Sequence, residues 1–204
     1  MNLKMNNNKI KKVAKFYDSR FDEYGNNLKT VGWSSKKSQN LRFKNLFRSL
    51  RINNKKILDV GCGLGDMVKF LDSRTKNYNY IGIDISKKLV NYCKKNKNKK
   101  NRKFINSDIF KVKEKNIDIS VLSGSLSLNF VGIEDYTFKT MKKMFDISNE
   151  CVALNFLSKY ADYETKKNKH YYPERVFSWA KKISKNINLY HDYPLYEFTI
   201  QIYR

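Results

Sequence analysis

The sequence predicts an α/β fold, a mostly parallel sheet covered on both faces by helices, and three observations carry that prediction. Apolar strand-like runs alternate with helical patterns through most of the chain. One run, Lys56-Ile57-Leu58-Asp59-Val60, breaks abruptly into the turn Gly61-Cys62-Gly63-Leu64-Gly65. The last two runs, 187–193 and 197–203, are joined only by Pro194, Leu195 and Tyr196, a link that permits only an antiparallel pair, because a parallel crossover takes about a dozen residues or more.

The elements follow in order. Residues 1 to about 9 are polar and expected to fray. Val13, Phe16, Tyr17, Phe21 and Tyr24 then make a weakly helical aromatic segment ending at Gly25. After a loop with Gly32 and Trp33, Ser34 or Ser35 can cap a helix running to about Leu50, since Leu41, Phe43, Leu46, Phe47 and Leu50 recur on one face. Residues 1–50 are therefore read as a helical cap and 51–204 as the core. Strands are expected at 56–60, 80–85, 103–105, 117–122 and 151–157, with helices at 66–73, 86–96 and 134–147 between them. Pro173, tolerated in a first turn where its missing N–H is no loss, opens a helix over 173–184. The two hairpin strands close the chain.

Composition limits the function classes. The 204 residues, 41% of them hydrophobic, suffice for one full core and leave no room for a second large domain. The formal charge of +23 has two readings, a solvated surface in a Lys- and Asn-rich chain, which is favoured, or a basic face for nucleic acid. Cys62, Cys93 and Cys151 show no CxxC spacing, so neither a disulfide framework nor a zinc site is expected, and reduced thiols in the cytoplasm are. No apolar run reaches the roughly 18 residues of a membrane span. A soluble protein, monomer or homodimer, is the expectation.

The glycine turn carries the chemistry. Glycine permits positive φ and close approach of a ligand to the backbone, so G-x-G-x-G at a strand's carboxyl end marks a nucleotide-type cofactor site. The dinucleotide spacing G-x-G-x-x-G is absent, as is a P-loop's Gly-Lys-Ser/Thr ending, and Asp59 and Asp66 on either side are unsuited to a pyrophosphate. Asp84 ends its strand about twenty positions after the turn, where a carboxylate can accept both hydroxyls of a ribose. Its other reading is a helix cap, a part that Ser86 can also take.

Asp59-Val60-Gly61-Cys62-Gly63-Leu64-Gly65 resembles motif I of the class I S-adenosylmethionine (SAM) dependent methyltransferases, whose cofactor carries an ammonium, a sulfonium and a carboxylate but no phosphate. The resemblance spans about residues 13–204. Phe16-Tyr17-Asp18, Val31-Gly32-Trp33, the stretch from Ser38 to Phe43 and Asn155-Phe156-Leu157-Ser158 look like a small bacterial subfamily whose members are described only as SAM-dependent methyltransferases. It implies a Rossmann-like seven-stranded sheet of order 3-2-1-4-5-7-6 with strand 7 antiparallel. It further implies that Asp59, Gly61, Cys62, Gly63 and Gly65 cradle SAM and that Asp84 binds the ribose. Ile85 would lie against the adenine, with Asp108 and the backbone of Ile109 on its edge. Ser123, Gly124 and Ser125 would face the methyl donor. From the N-terminal helices Trp33, Gln39 and Arg42 would approach the cofactor, Arg42 through a bidentate pair with its carboxylate. S-adenosylhomocysteine (SAH) would be the product.

The acceptor is less legible. Methyl transfer is an in-line displacement that needs alignment and dryness more than acid or base. Candidate catalytic groups are Tyr17, His170 in the polar loop after the fifth strand, and His191 near the hairpin, each with a packing or surface role as its alternative. Tyr163, Tyr171, Tyr172 and Asp162 are candidates for lining an acceptor pocket, and Asn129 and Asn155 for hydrogen bonding there. Ser123-Gly124-Ser125-Leu126 contains no Pro-Pro-Tyr, which disfavours amino-group transfer to bases or glutamine, and no metal-ligand cluster is visible. A small-molecule acceptor with O or N is expected. RNA methylation over the basic face and non-catalytic SAM binding stand as alternatives.

Overall fold

A computed structural model describes residues 7–204. The expected fraying of the first nine or so residues falls mostly outside that range, but Asn8 and Lys9 are already helical: α1 runs Asn7–Tyr24 and stops at Gly25, whose φ is 57°. A short 3-10 turn, Leu28–Val31, ends on Gly32 in the left-handed region. Helix α2, Lys36–Leu46, begins where the Ser35 hydroxyl accepts the Ser38 N–H at 3.1 Å. It ends earlier than the expected Leu50. The side-chain amide of Gln201 donates to the carbonyls of Leu46 and Arg48 at 3.0 and 2.7 Å, which anchors the end of α2 to the last strand, and Ser49 turns to positive φ.

Seven strands follow: β1 Lys55–Val60, β2 Tyr78–Asp84, β3 Arg102–Asn106, β4 Ile117–Ser123, β5 Ser148–Leu157, β6 Asn186–Tyr190 and β7 Glu197–Tyr203. Between them lie α3 Met67–Asp72, α4 Lys87–Asn96, α5 Ile133–Ile147 and α6 Pro173–Lys181. The sheet has the order β3-β2-β1-β4-β5-β7-β6, parallel except for β7, which is antiparallel to both neighbours. Strand bounds deviate where polar residues join the ladder. β5 starts three residues before the apolar run because Ser148 pairs with Ile117 and shares a 2.6 Å hydroxyl contact with Ser120. β6 ends at Tyr190, before His191 and Asp192, and Asp192 pairs with Arg48 at 2.6 Å.

Alternation along β1 divides the core. Leu58 and Val60 face the cluster that Met141 and Met144 of α5 and Val176 and Ala180 of α6 complete, whereas Ile57 faces Phe43, Leu71 and Val90 from α2, α3 and α4. Each such fully buried aliphatic side chain contributes about 1.5–3 kcal/mol. With both faces covered, ligand access is left to the strand ends, and the strand order reverses between β1 and β4. Among the described residues no helix is long and apolar enough to cross a membrane.

Candidate functional site

A cavity of about 630 Å³ opens at the carboxyl ends of β1, β2, β4 and β5, beneath α1 and the loop between β5 and α6. Its floor is the glycine turn. Gly61, Gly63 and Gly65 all have positive φ (76°, 53° and 69°). A Cβ on Gly61 would sit 1.8 Å from the Ser125 hydroxyl oxygen, and one on Gly63 would sit 2.9 Å from Val31. The turn is tied to the next strand by the N–H groups of Gly61 and Cys62, which both donate to the Ile83 carbonyl at 2.8 and 3.0 Å.

Asp84, only 8% exposed, braces that turn as well as lining the cavity. One carboxylate oxygen accepts the Gly63 N–H at 2.9 Å and the other the Ser86 N–H at 2.8 Å. Burial pushes the carboxyl up, and the Ser86 and Gly63 N–H groups hold it back. Ser86 caps α4, accepting the Leu89 N–H, so the cap reading falls to Ser86. A carboxylate has about four acceptor positions, so Asp84 keeps acceptor capacity for a ligand beyond the backbone N–H groups it already holds. Asp59 is buried beneath the turn, where desolvation carries its pKa up to about 7 against the opposing hydrogen bond from the Tyr80 hydroxyl at 2.7 Å. Asp108 accepts the Phe110 N–H at 2.8 Å, capping the 3-10 turn that starts at Ile109, and both residues line the cavity with Ile85.

Ser123, Gly124 and Ser125 form the wall at the end of β4. Asn155 on β5 accepts the Gly124 N–H at 3.1 Å, and a Cβ at Gly124 would meet the Trp33 ring at 2.5 Å. Trp33 in turn lies under the Arg42 guanidinium, 4.4 Å from ring centroid to Cζ. Gln39 joins this wall, donating to Asp66 at 3.1 Å.

The structure corrects the expectations for six residues. The bidentate face of Arg42 is already taken: Nε lies 2.7 and 2.6 Å from the two Glu197 oxygens and Nη2 also donates to Glu197, so two-pronged pairing with a ligand carboxylate is closed to it. Only its Nη1, buried and without a partner among the described residues, remains. His170 lies outside this cavity, on a separate hollow, because Tyr171 fills the space beneath the loop and turns its own hydroxyl to Thr137 and Leu126. His191 is exposed past the end of β6 and packs on Tyr160 and Phe198. Asn129 and Tyr172 likewise line the hollow, while Asp162 accepts the Tyr196 hydroxyl outside both spaces. Tyr17 does face the cavity, with burial first and the Asp84 charge second raising its phenol to about 12.

Glu197 is the main residue missed. It is 4% exposed, at the first position of β7; Glu197-Phe198-Thr199 belongs to the stretches that resemble the subfamily, but that stretch does not reveal a partner at the other end of the chain. Ser125, expected with Ser123 and Gly124 to face the methyl donor, lines the cavity and folds over Gly61. Tyr136 from α5 and Thr165 and Asn168 from the loop also reach the cavity without a sequence signal.

The profile of the family described as "Methyltransferase domain" matches residues 52–196. Among curated proteins, "Putative methyltransferase Rv1506c" of Mycobacterium tuberculosis is 30% identical over 154 residues, 72% of this chain and 91% of that protein. Among solved structures, magnesium protoporphyrin IX methyltransferase from Synechocystis PCC 6803 with bound SAH superposes with a TM-score of 0.72 at 12% identity, covering 96% of this chain and 99% of that one. The plantazolicin methyltransferase BpumL in complex with SAH gives 0.60 at 14% identity, over 97% and 98% of the two chains. At these identities the two superpositions speak to the fold.

Proposed function

This chain belongs to the methyltransferase-domain family, as a class I SAM-dependent methyltransferase, and from that premise we propose that it methylates an oxygen or nitrogen of a small molecule held in the 630 Å³ cavity. The observation that carries the proposal is enclosure. The same cavity is floored by the glycine turn and walled by Val13, Phe16 and Tyr17 of α1 and by Tyr163, Thr165 and Asn168 of the loop after β5. Its volume lies within the roughly 300–1,000 Å³ of small-molecule sites.

The residues present fit SAM. The glycine turn, which packs on Ser125 and Val31 where side chains at Gly61 and Gly63 would stand, lies beside Asp84, whose remaining acceptor capacity suits a ribose hydroxyl. Asp108 and the backbone of Ile109 would hold the adenine edge, with Ile85 against its face. Arg42 would offer its one unpartnered nitrogen, Nη1, to the cofactor carboxylate. When bound, SAM supplies an electrophilic methyl group whose transfer discharges the sulfonium.

The chain's own part is alignment and exclusion of water. Gly124, held by Asn155, lets the Trp33 ring pack against the backbone at the end of β4, so that the ring closes this side of the cavity. Tyr17, its phenol raised to about 12, stays protonated at neutral pH and serves as a hydrogen-bond donor to the acceptor, not as its base. An amine arriving neutral would keep its own lone pair free for the transfer, with Tyr17 donating to another group of the acceptor, and the ammonium formed would release its proton to water afterwards.

The test is transfer of labelled methyl from SAM with pooled metabolites and total RNA offered side by side. Label in a small molecule is expected. Salt-sensitive labelling of RNA alone would move the acceptor to the basic surface, and SAM binding without transfer to either pool would make the chain a binding protein.

A further inference from the structure

The chain's excess of positive charge is not evenly spread. Residues 94–115 hold ten Lys or Arg against two acids, Asp108 and Glu114, whereas residues 133–204, a stretch more than three times as long, hold twelve against nine. A general surplus of lysine would not thin out in this way, so the 94–115 cluster calls for its own cause.

The fold gathers that cluster along one edge, at the amino ends of β3, β2, β1 and β4, which are adjacent in the sheet. The loop before β3 is held there by the Arg102 N–H, which donates to the Lys99 carbonyl at 2.9 Å, and by the Tyr80 N–H, which donates to that of Asn101 at 2.9 Å. The loop before β4 is drawn to the same edge by the ion pair of Lys103 with Glu114 at 2.8 Å. The Lys56 ammonium also donates to the Lys115 carbonyl at 2.8 Å. The acids of the edge are already engaged: Glu114 with Lys103, Asp72 with Arg102, Glu150 with Lys55, and Asp118 with the N–H of Lys56. Lys76, Lys97, Lys99, Lys100, Lys113 and Lys115 enter no ion pair among the described residues, and all but the half-buried Lys97 are exposed. Guarding the outer strand β3 against pairing accounts for Lys103 alone. The six unpaired lysines in the loops beside it make a surface complementary to a polyanion.

Their surroundings select which polyanion. Among the described residues, no exposed large apolar side chain lies in the segments 53–56, 76–78, 97–103 or 113–118. The edge thus lacks the apolar anchors of a membrane-bound surface, the aromatic core of a protein interface and the stacking platforms of a single-strand binder. What it offers beside the lysines is amides, since Asn54, Asn77, Asn98 and Asn116 are exposed there. Asn54 and Asn116 also serve turns of positive φ, which leaves their side chains at the surface. Ammonium groups for phosphates and amides for 2′-hydroxyls match the wide, shallow minor groove of an RNA duplex.

We propose that the amino edge of the sheet docks double-stranded RNA, without regard to its sequence, through phosphates and 2′-hydroxyls. The cavity opens at the opposite ends of the same strands, and the six residues of β1 set the two roughly 20 Å apart. Bound there, the duplex is a tether and not the methyl acceptor, so the surface does not rest on the small-molecule reading of the cavity.

The test is anisotropy of an end-labelled RNA duplex of arbitrary sequence, titrated with the full chain from about 50 to about 300 mM salt. Salt-dependent binding is expected. The triple variant Lys97→Gln, Lys99→Gln, Lys100→Gln should lower affinity at low salt at least roughly tenfold and flatten the log K against log salt slope by about two to three, near one per lysine. Lys36→Gln, Lys37→Gln, Lys44→Gln removes the same charge from the exposed face of α2 and should change affinity less than about threefold. Circular dichroism shows that the variants are folded, and calorimetry with SAM tests the methyltransferase reading separately. Absence of binding at low salt, or equal losses in the two triple variants, would overturn the surface. A DNA duplex, single-stranded RNA or phosphatidylserine vesicles bound as tightly would overturn the choice of ligand. Label carried from SAM into the bound duplex would overturn its role as a tether.

Discussion

The floor of the cavity and its N-terminal wall are built in opposite ways. The floor is local and held by backbone: β1, the glycine turn and β2 are joined by N–H groups of Gly61, Cys62 and Gly63 that end on Ile83 and Asp84, about twenty residues away. The wall is assembled from distant side chains, with Arg42 of α2 meeting Glu197 of β7 across 155 residues and stacking on Trp33. Backbone-held parts tolerate the loss of a side chain better than parts in which buried charges are each other's only compensation. The wall is therefore the fragile half for folding, and the floor the sensitive half for cofactor.

The sharpest way to break this contrast is Glu197→Ala. Removing one partner of a buried ion pair strands the other charge, which costs about 3–5 kcal/mol. We expect a loss of that size in urea denaturation, with most of it recovered in the double variant Arg42→Met with Glu197→Leu, where no charge is stranded. A loss below about 1 kcal/mol, the range of exposed pairs, would show that the wall is not held by this pair.

On the floor, Asp84→Ala should act on affinity first. It removes the proposed ribose acceptor and is expected to weaken SAM binding roughly 100-fold in calorimetry, the effect of losing two hydrogen bonds to a charged group. It also orphans the N–H groups of Gly63 and Ser86, so a stability loss of about 1–3 kcal/mol should accompany it. Asp84→Asn keeps one side-chain oxygen as acceptor and should soften both effects. Unchanged SAM affinity in Asp84→Ala would remove Asp84 from the cofactor site.

The same contrast explains what the sequence made legible. The turn, Asp84 and Asp108 could be found because strand ends, glycines and acids follow one another at short, physically constrained distances. The hairpin from Glu197 to Tyr203 and the strand order were readable for the same reason, since a three-residue link admits one geometry. Glu197 as a site residue was not readable, because its partner lies at the other end of the chain. His170 illustrates the converse: its position in the loop after β5 was legible, but which side of Tyr171 it occupies depends on packing that no local pattern encodes.

Asp59 offers a milder perturbation of the floor. Its carboxyl is raised to about 7, from an ordinary value near 4, by burial. The folded protein thus keeps this proton up to about pH 7 while the unfolded chain releases it near pH 4. Between those values the unfolded state binds fewer protons, so stability falls as pH rises, by at most about 1.4 kcal/mol per pH unit. The contribution is complete below about pH 4 and lost as pH passes about 7. Wild type minus Asp59→Asn in denaturation from pH 4 to 7.5 isolates that slope from the other carboxyls. A difference that is flat across the interval would place the Asp59 pKa near its ordinary value and take the desolvated acid out of the floor.

The smallest effects should come from the side chains nearest to looking catalytic. Tyr17→Phe removes a donor facing the cavity but no base, since a phenol raised to about 12 is protonated throughout the neutral range. Loss of one neutral hydrogen bond, about 0.5–1.5 kcal/mol, corresponds to a drop of roughly two- to tenfold in kcat/KM, with the pH profile unchanged in shape below about pH 9. His191→Ala, at an exposed position outside the cavity, should stay within the ±0.5 kcal/mol of surface substitutions, a factor of roughly two in rate. If Tyr17→Phe instead abolished an alkaline limb in the profile, the phenolate would be the base. The wall would then supply chemistry as well as shape, and its division from the floor would no longer hold.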